Sequence, residues 1–450
     1  MICRSTFSHA EDQPEGACMS AIDSFYDTIF NEEEDARVCT DIPEAACTNV
    51  PTNFARILAS STASSLADEL ANGKTVLPWL MAAIGASPVW TGLIVPIRES
   101  ISLAPQLFIA GALRKQPRRK YAWVTGAFIQ AAALLGIATI GFLLRRPSAG
   151  PLVIALLLVF SLARGVTSVS SKDVIGKTIP KKRRGRLTGV KAALAGAITL
   201  GIGLGVTGLT REGASPGAIA SLIVGAAGLW LIAGTTFLTV REEPGATEGG
   251  GNAITEAVRR LSILTTDKPF RRFVLTRALF VSTALAGPYY VLLANDYSGE
   301  RSMLGVFMIA SGLAAALSSV IWGAFSDRSS RGVLGVAAGS ASALGILMFV
   351  ADLTGLLPAF PWVAPAGFFL LSIAHAGVRI GRKTYVLDLA GGQKRTDYVA
   401  VGNTVIGAVL LVGSLVGALA GVIGSSGILL VLGILGLIGV GLSRALPEVE

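Results

Sequence analysis

The chain has 450 residues, 52% of them hydrophobic and only 15% charged, with a mean hydropathy of +0.63. So little polar material cannot cover a soluble particle of this length, which argues against a water-soluble enzyme or nucleic-acid-binding domain as the body of the protein. Charge is unevenly spread. Residues 1–50 hold eleven acidic residues against Arg4 and Arg37, a net −9, whereas the whole chain is +9, leaving +18 on residues 51–450.

The acidic segment, residues 1–53, reads as a solvent-exposed N-terminal tail. All four cysteines (Cys3, Cys18, Cys39, Cys47) lie in it without a Cys-x-x-Cys spacing, and His9 is the only histidine nearby. The pattern supports reduced thiols and no metal site. The tail lacks a basic stretch followed by an apolar one, so no cleavable signal peptide is expected.

From Pro51 onward, apolar runs long enough to cross a bilayer recur. They predict twelve transmembrane helices, at 54–84, 88–113, 121–144, 150–175, 186–210, 216–240, 272–296, 302–325, 332–353, 362–388, 398–423 and 426–446. The fold class is therefore all-α and polytopic. A linker at 241–270 divides residues 54–240 from 271–450. It begins REEPGATEGGGN, a flexible composition, and continues AITEAVRRLSIL, which fits a short amphipathic helix at the membrane surface.

Alternate loops carry the positive charge: RKQPRRK (114–120), KTIPKKRRGR (177–186), the linker, DRSSR (327–331) and GGQKR (391–395). The opposite loops hold only Arg145, Arg146, Arg211 and Arg301. Positive residues cross membranes poorly during insertion, so both termini are expected in the cytoplasm, and the basic runs mark topology rather than nucleic acid.

The chain also repeats itself. Pro78-Trp79 returns as Pro288-Tyr289, Gly111-Ala112-Leu113 with Arg119 as Gly323-Ala324-Phe325 with Arg331, and Ser161-Leu162-Ala163 as Ser372-Ile373-Ala374. Gly201-x-x-x-Gly205 likewise returns as Gly413-x-x-x-Gly417, at a nearly constant shift. A shift of six helices, an even number, keeps both copies in one orientation and predicts two pseudo-symmetric six-helix bundles.

In this organisation the sequence resembles the major facilitator superfamily over residues 54–446. The sharpest local piece is GAFSDRSSR (323–331), similar to the family's loop of Gly, Asp-Arg and further basic residues. The resemblance implies a latch at the inner helix ends: Gly323 for close packing, Asp327 for free N–H groups, Arg328 and Arg331 for neighbouring helix ends. The first-half loop keeps Gly111 and Arg119 but has Lys115 in the place of the Asp, which puts its latch in doubt.

Ionisable groups at membrane depth cost about 2.5–3.5 kcal/mol each on insertion scales, so each calls for a reason. Ser61, Ser64, Ser65, Asp68 and Asn72 form a polar stripe on the first helix, and Glu69 points about 100° away from it. The second helix holds Arg98 and Glu99 between Pro96 and Pro105, which predict a bend. The fourth carries Arg164, Ser168, Ser171 and Lys172 on one face. The tenth repeats the pattern with His375, Arg379, Arg382 and Lys383. The resemblance implies a central cavity lined by helices one, four, seven and ten, so that Arg164 and His375 would face each other there. Lys172, Arg382 and Lys383 fit positive-inside topology without a ligand, and Lys191, Arg277, Asp388 and Asn403 lie close to the inner face. The glycine rows at 201–205 and 413–421 read as close helix packing, and no phosphate-binding loop is present.

These residues predict a secondary transporter, not an enzyme, working by alternating access without a cofactor. Its partners would be the bilayer, a small solute leaning to anionic or zwitterionic, and protons carried by His375, Asp68 or Glu99. Two other readings stay open: a transporter-like sensor or assembly factor that moves nothing, and an exporter of cationic amphiphiles.

Overall fold

The computed structural model describes residues 47–103, 105–144, 148–209, 215–245, 261–297, 303–326, 329–389 and 395–449. Asp327, Arg328, most of the acidic tail and most of the expected amphipathic helix lie outside them. Cys47 is disulfide-bonded, which corrects the expectation of a reduced thiol there; the other three cysteines are outside the described residues.

All regular elements among the described residues are α-helices. Eight stretches are long and apolar enough to cross a bilayer. They are crossing 3 (Lys120–Leu143), crossing 4 (Ala149–Thr178), crossing 5 (Gly189–Thr207), crossing 6 (Pro216–Leu238), crossing 7 (Lys268–Tyr297), crossing 9 (Ser330–Leu353), crossing 10 (Val363–Val386) and crossing 12 (Ala420–Ser443). Crossings 8 (Leu304–Ser326) and 11 (Arg395–Ala418) contain shorter apolar stretches. A 24-residue helix rises about 36 Å, enough for the hydrocarbon layer.

Crossings 1 and 2 are interrupted. Crossing 1 consists of Val50–Leu70 and Val76–Ala83, which corrects the expectation of one helix over 54–84. Ala71 leaves helical geometry at φ −114° and ψ 34°, and the Asn72 side chain accepts from the Lys74 amide at 2.8 Å. An Asn that bonds two residues ahead, followed by Gly73, offers the backbone a turn in place of the next helical bond. Crossing 2 consists of Pro88–Leu103 and Gln106–Arg114. Pro105 opens its second piece because it has no N–H to continue the first, while Pro96 stays inside a helix.

The crossings form two bundles with matching neighbours. Crossing 3 packs on 4 and 6 as crossing 9 packs on 10 and 12; crossing 6 packs on 1 as 12 packs on 7; crossing 2 packs on 4 as 8 packs on 10. The bundles meet where crossing 2 touches 11 and crossing 5 touches 8, two contacts that exchange under the six-helix shift. Stacked Trp123 and Phe237, 4.1 Å between centroids, help fill the first bundle; Phe307 and Phe368, at 4.9 Å, help fill the second. Large apolar side chains face outward, among them Val422 at 83% exposed and Leu353 at 76%. In water such a surface would aggregate, but against lipid it is the favourable side.

The glycine rows match the expectation of close packing at Gly413 and Gly417 and depart from it in the first half. Gly201, Gly205 and Gly421 meet nothing, while Gly203 lies against Ile309 and Gly417 against Gly92. Gly203 sits about 200° round the helix from Gly201, so the contact face is the opposite one.

Candidate functional site

A cavity of about 540 Å³ lies between the bundles, lined by crossings 1, 2, 4, 7, 8, 9, 10 and 11. The structure brings Asp68, Arg98, Glu99, Arg164, His375 and Arg379 together on its wall. Lys74, Arg277, Arg382 and Lys383 line it as well, although sequence reasoning set the last three aside as inner-face charges. The signal that could have found Lys74 is the Asn72-Gly73 pair beside it, a turn-forming pair inside a predicted crossing. Glu69 also lines the cavity, although it points about 100° away from Asp68 on the same helix.

On the first-bundle side Asp68, Arg98 and Arg164 are paired with one another. One Asp68 carboxylate oxygen accepts from Arg98 Nη2 at 3.1 Å and from Arg164 Nη1. The Arg98 side chain is 8% exposed, donates to the Ala71 carbonyl and lies 5.3 Å from the centroid of Phe160. Arg98 thus repairs the broken helix: it supplies a donor to a carbonyl that lost its helical partner. Gly73 makes room for it, since a Cβ there would come within 3.1 Å of Arg98 Cδ. Asn72 donates to one Glu69 oxygen at 3.0 Å, and the other is buried without a partner. The serines lower on the stripe, Ser61, Ser64 and Ser65, bond backbone carbonyls of their own helix and are not part of the lining.

The second-bundle side is basic and largely unpaired. His375 Nδ1 lies 3.0 Å from the Thr283 hydroxyl. Arg277 is 8% exposed; its Nη2 donates to Asn403 at 2.8 Å while its Nε has no partner. Among the described residues, Arg379, Arg382 and Lys383 have no hydrogen-bonded or ion-paired partner.

Among the described residues, several close glycine contacts between the bundles lie on the side away from the basic loops. A Cβ on Gly92 would come within 2.9 Å of Gly417 Cα, one on Gly203 within 2.9 Å of Ile309, and one on Gly305 would strike Thr207. Trp79 packs on Phe307 across the same region at 6.1 Å. Toward the basic loops, the lining runs on through Leu103, Arg277, Arg382 and Lys383.

The nominated loop residues fall in two places. Gly111 lies within Gln106–Arg114 and Gly323 within Leu304–Ser326. Arg331 reaches the Leu446 carbonyl at 3.0 Å and Glu448 at 3.1 Å, tying crossing 9 to the C-terminal segment. In the first half, carboxylates from other segments hold the loop that contains Lys115. Arg119 pairs with Asp173 at the end of crossing 4. Glu242 accepts from the amides of Arg119 at 3.1 Å and Lys120 at 2.8 Å, and from Lys177 Nζ at 3.1 Å. Arg241 exchanges two 2.9 Å bonds with Asn53. The first residues of the linker are therefore fastened down, which corrects their reading as flexible. A polar run looks free in sequence when its partners are four helices away.

Among the described residues no cluster of His, Cys, Asp or Glu could hold a metal ion. No family model matches the sequence. The chain is 26% identical over 370 residues to an uncharacterized protein of Mycobacterium tuberculosis and to one of Mycobacterium bovis, covering 78% of this chain and 68% of theirs. Its fold is similar to the nucleoside transporter NupG, with a TM-score of 0.64 at 14% identity, covering 88% of this chain and 98% of that one. It is also similar to a POT family transporter in complex with 5-aminolevulinic acid, with a TM-score of 0.67 at 9% identity over 91% of this chain and 98% of that one. A third neighbour is the xylose transporter XylE from E. coli in a partially occluded inward open conformation, with a TM-score of 0.64 at 14% identity over 88% and 100%. Paired bundles, a shared central cavity and these neighbours together show that the chain has the all-helical, two-bundle membrane fold seen in these transporters.

Proposed function

We propose that the chain is a secondary active transporter that carries a small anionic or zwitterionic solute by alternating access, with both termini and the basic loops in the cytoplasm. The observation that carries this reading is the cavity's charge: seven basic side chains line it against three acidic ones, and one of the acids, Asp68, is engaged by two arginines. That balance favours an anion and counts against export of cationic amphiphiles. On this orientation the close contacts at Gly92–Gly417 and Gly305–Thr207 seal the outer side, and the cavity communicates with the cytoplasm. The likeness to a transporter in a partially occluded inward open conformation supports that assignment. His375 and Glu99, both on the cavity wall, are the groups we assign to a coupling proton.

The test is solute flux into proteoliposomes containing the purified protein, with and without an imposed pH gradient. Saturable, gradient-dependent movement of anionic or zwitterionic solutes is expected. Arg164→Gln and His375→Gln should each lower it roughly tenfold or more while the protein still inserts. Flux indifferent to the gradient would remove proton coupling. A wild-type protein that moves no solute would remove transport itself and leave the sensor or assembly role standing.

A further inference from the structure

The imbalance of charge in the cavity sits on one wall. Crossings 7 and 10 contribute Arg277, His375, Arg379, Arg382 and Lys383, and among the described residues no acid from either crossing joins them in the lining. Arg382 is the hub of this wall. It acts electrostatically on Arg277, His375 and Lys383 beside it, and on Lys74 and Glu99 across the cavity. Arg277 is buried with its Nε facing no acceptor, and Arg382 has no hydrogen-bonded partner among the described residues.

A guanidinium held away from bulk water without a carboxylate is costly unless something negative enters beside it. Glu99, the acid that acts electrostatically on Arg382, already has Lys74, Arg98, Arg164 and Arg382 acting on it. A single negative charge brought by a ligand would leave most of the excess uncompensated.

We infer that this wall is a subsite for a small oxyanion carrying two negative charges, a dicarboxylate or a phosphate ester, with Arg382 and Arg277 as its anchors. Planar forks of N–H donors match the oxygens of either group. The subsite deepens the transport reading and rests on it for the ligand's route. Binding at equilibrium, however, is measured apart from flux, so the two can fail separately.

The experiment uses the full chain in detergent micelles and calorimetric titration at pH 7.5 with succinate, its half-amide succinamate and the neutral succinamide, three probes of matched size. Succinate is expected to bind at least about tenfold more tightly than succinamate, as two charge-assisted bonds should give, and succinamide not at all. Arg382→Gln and Arg277→Gln should each erase most of that preference while leaving succinamate affinity within about threefold. Glycerol 3-phosphate, run alongside, separates a phosphate-ester site from a dicarboxylate site by which of the two dianions binds more tightly. Equal affinity for succinate and succinamate, equal loss of both in Arg382→Gln, or binding of neither dianion would overturn the inference. Should neither variant fold, the wild-type comparison decides it alone. Dianion binding without flux of any solute would uphold the subsite and sink transport.

Discussion

The two walls of the cavity carry similar residues in opposite circumstances. On the first-bundle wall, Arg98 and Arg164 converge on Asp68, and Arg98 also caps a carbonyl of the broken first crossing. On the second-bundle wall, Arg379, Arg382 and Lys383 stand on an uninterrupted helix, Val363–Leu389, that needs no such repair. A charge engaged by its own chain does structural work even where it lines the cavity, whereas a charge with no partner is wholly available to a ligand. The difference follows from one local event, the helix break at Asn72-Gly73, which makes Arg98 indispensable where it stands.

Three substitutions would break or sharpen that contrast. The largest effect should come from Asp68→Asn, which leaves the buried Arg98 without its carboxylate and should cost about 3 kcal/mol of stability. Its signature is a lower melting temperature and loss of monodisperse protein, and a variant that melts like wild type would show that the pair is not structural. Glu242→Gln comes next. It keeps the shape but loses the charge that holds two amides and Lys177, for about 1–3 kcal/mol, again read from thermal melting. A mild outcome there would mean that the Arg119–Asp173 pair fastens the first-half loops alone. Arg379→Gln should change the melting behaviour least, within about 0.5 kcal/mol, because no partner within the protein is lost. A large destabilisation would place Arg379 with the structural charges and erase the contrast between the walls.

Much of the fold was legible because it rests on local or pairwise properties of the chain. Apolar run length located the crossings, alternation of basic loops set the expected orientation, and the near-constant shift between copies predicted the paired bundles seen in the packing of 3 on 6 and 9 on 12. The cavity residues nominated from sequence converged for an energetic reason: an ionisable group at membrane depth has few places to go except a polar interior. Other features were not legible. Arg277 and Arg382 looked like ordinary inner-face positives, since positive-inside topology explains a basic residue near a helix end equally well. Glu242 lay in a run whose composition reads as linker, and its burial, with 4% exposed, depends on amides more than a hundred residues earlier. The glycine contact fell on Gly203 rather than Gly201 and Gly205 because helix rotation is set by the neighbour.

By itself, then, the amino-acid order determined that this chain lives in a bilayer, crosses it repeatedly and does so in two related halves. Hydrophobic transfer and the cost of moving positive loops across lipid act on each segment separately. Which charges are spent on holding the bundles together, and which remain open to a solute, was decided only in three dimensions. The worth of a buried ion depends on the partner a few ångströms away, and tertiary packing alone supplies that partner.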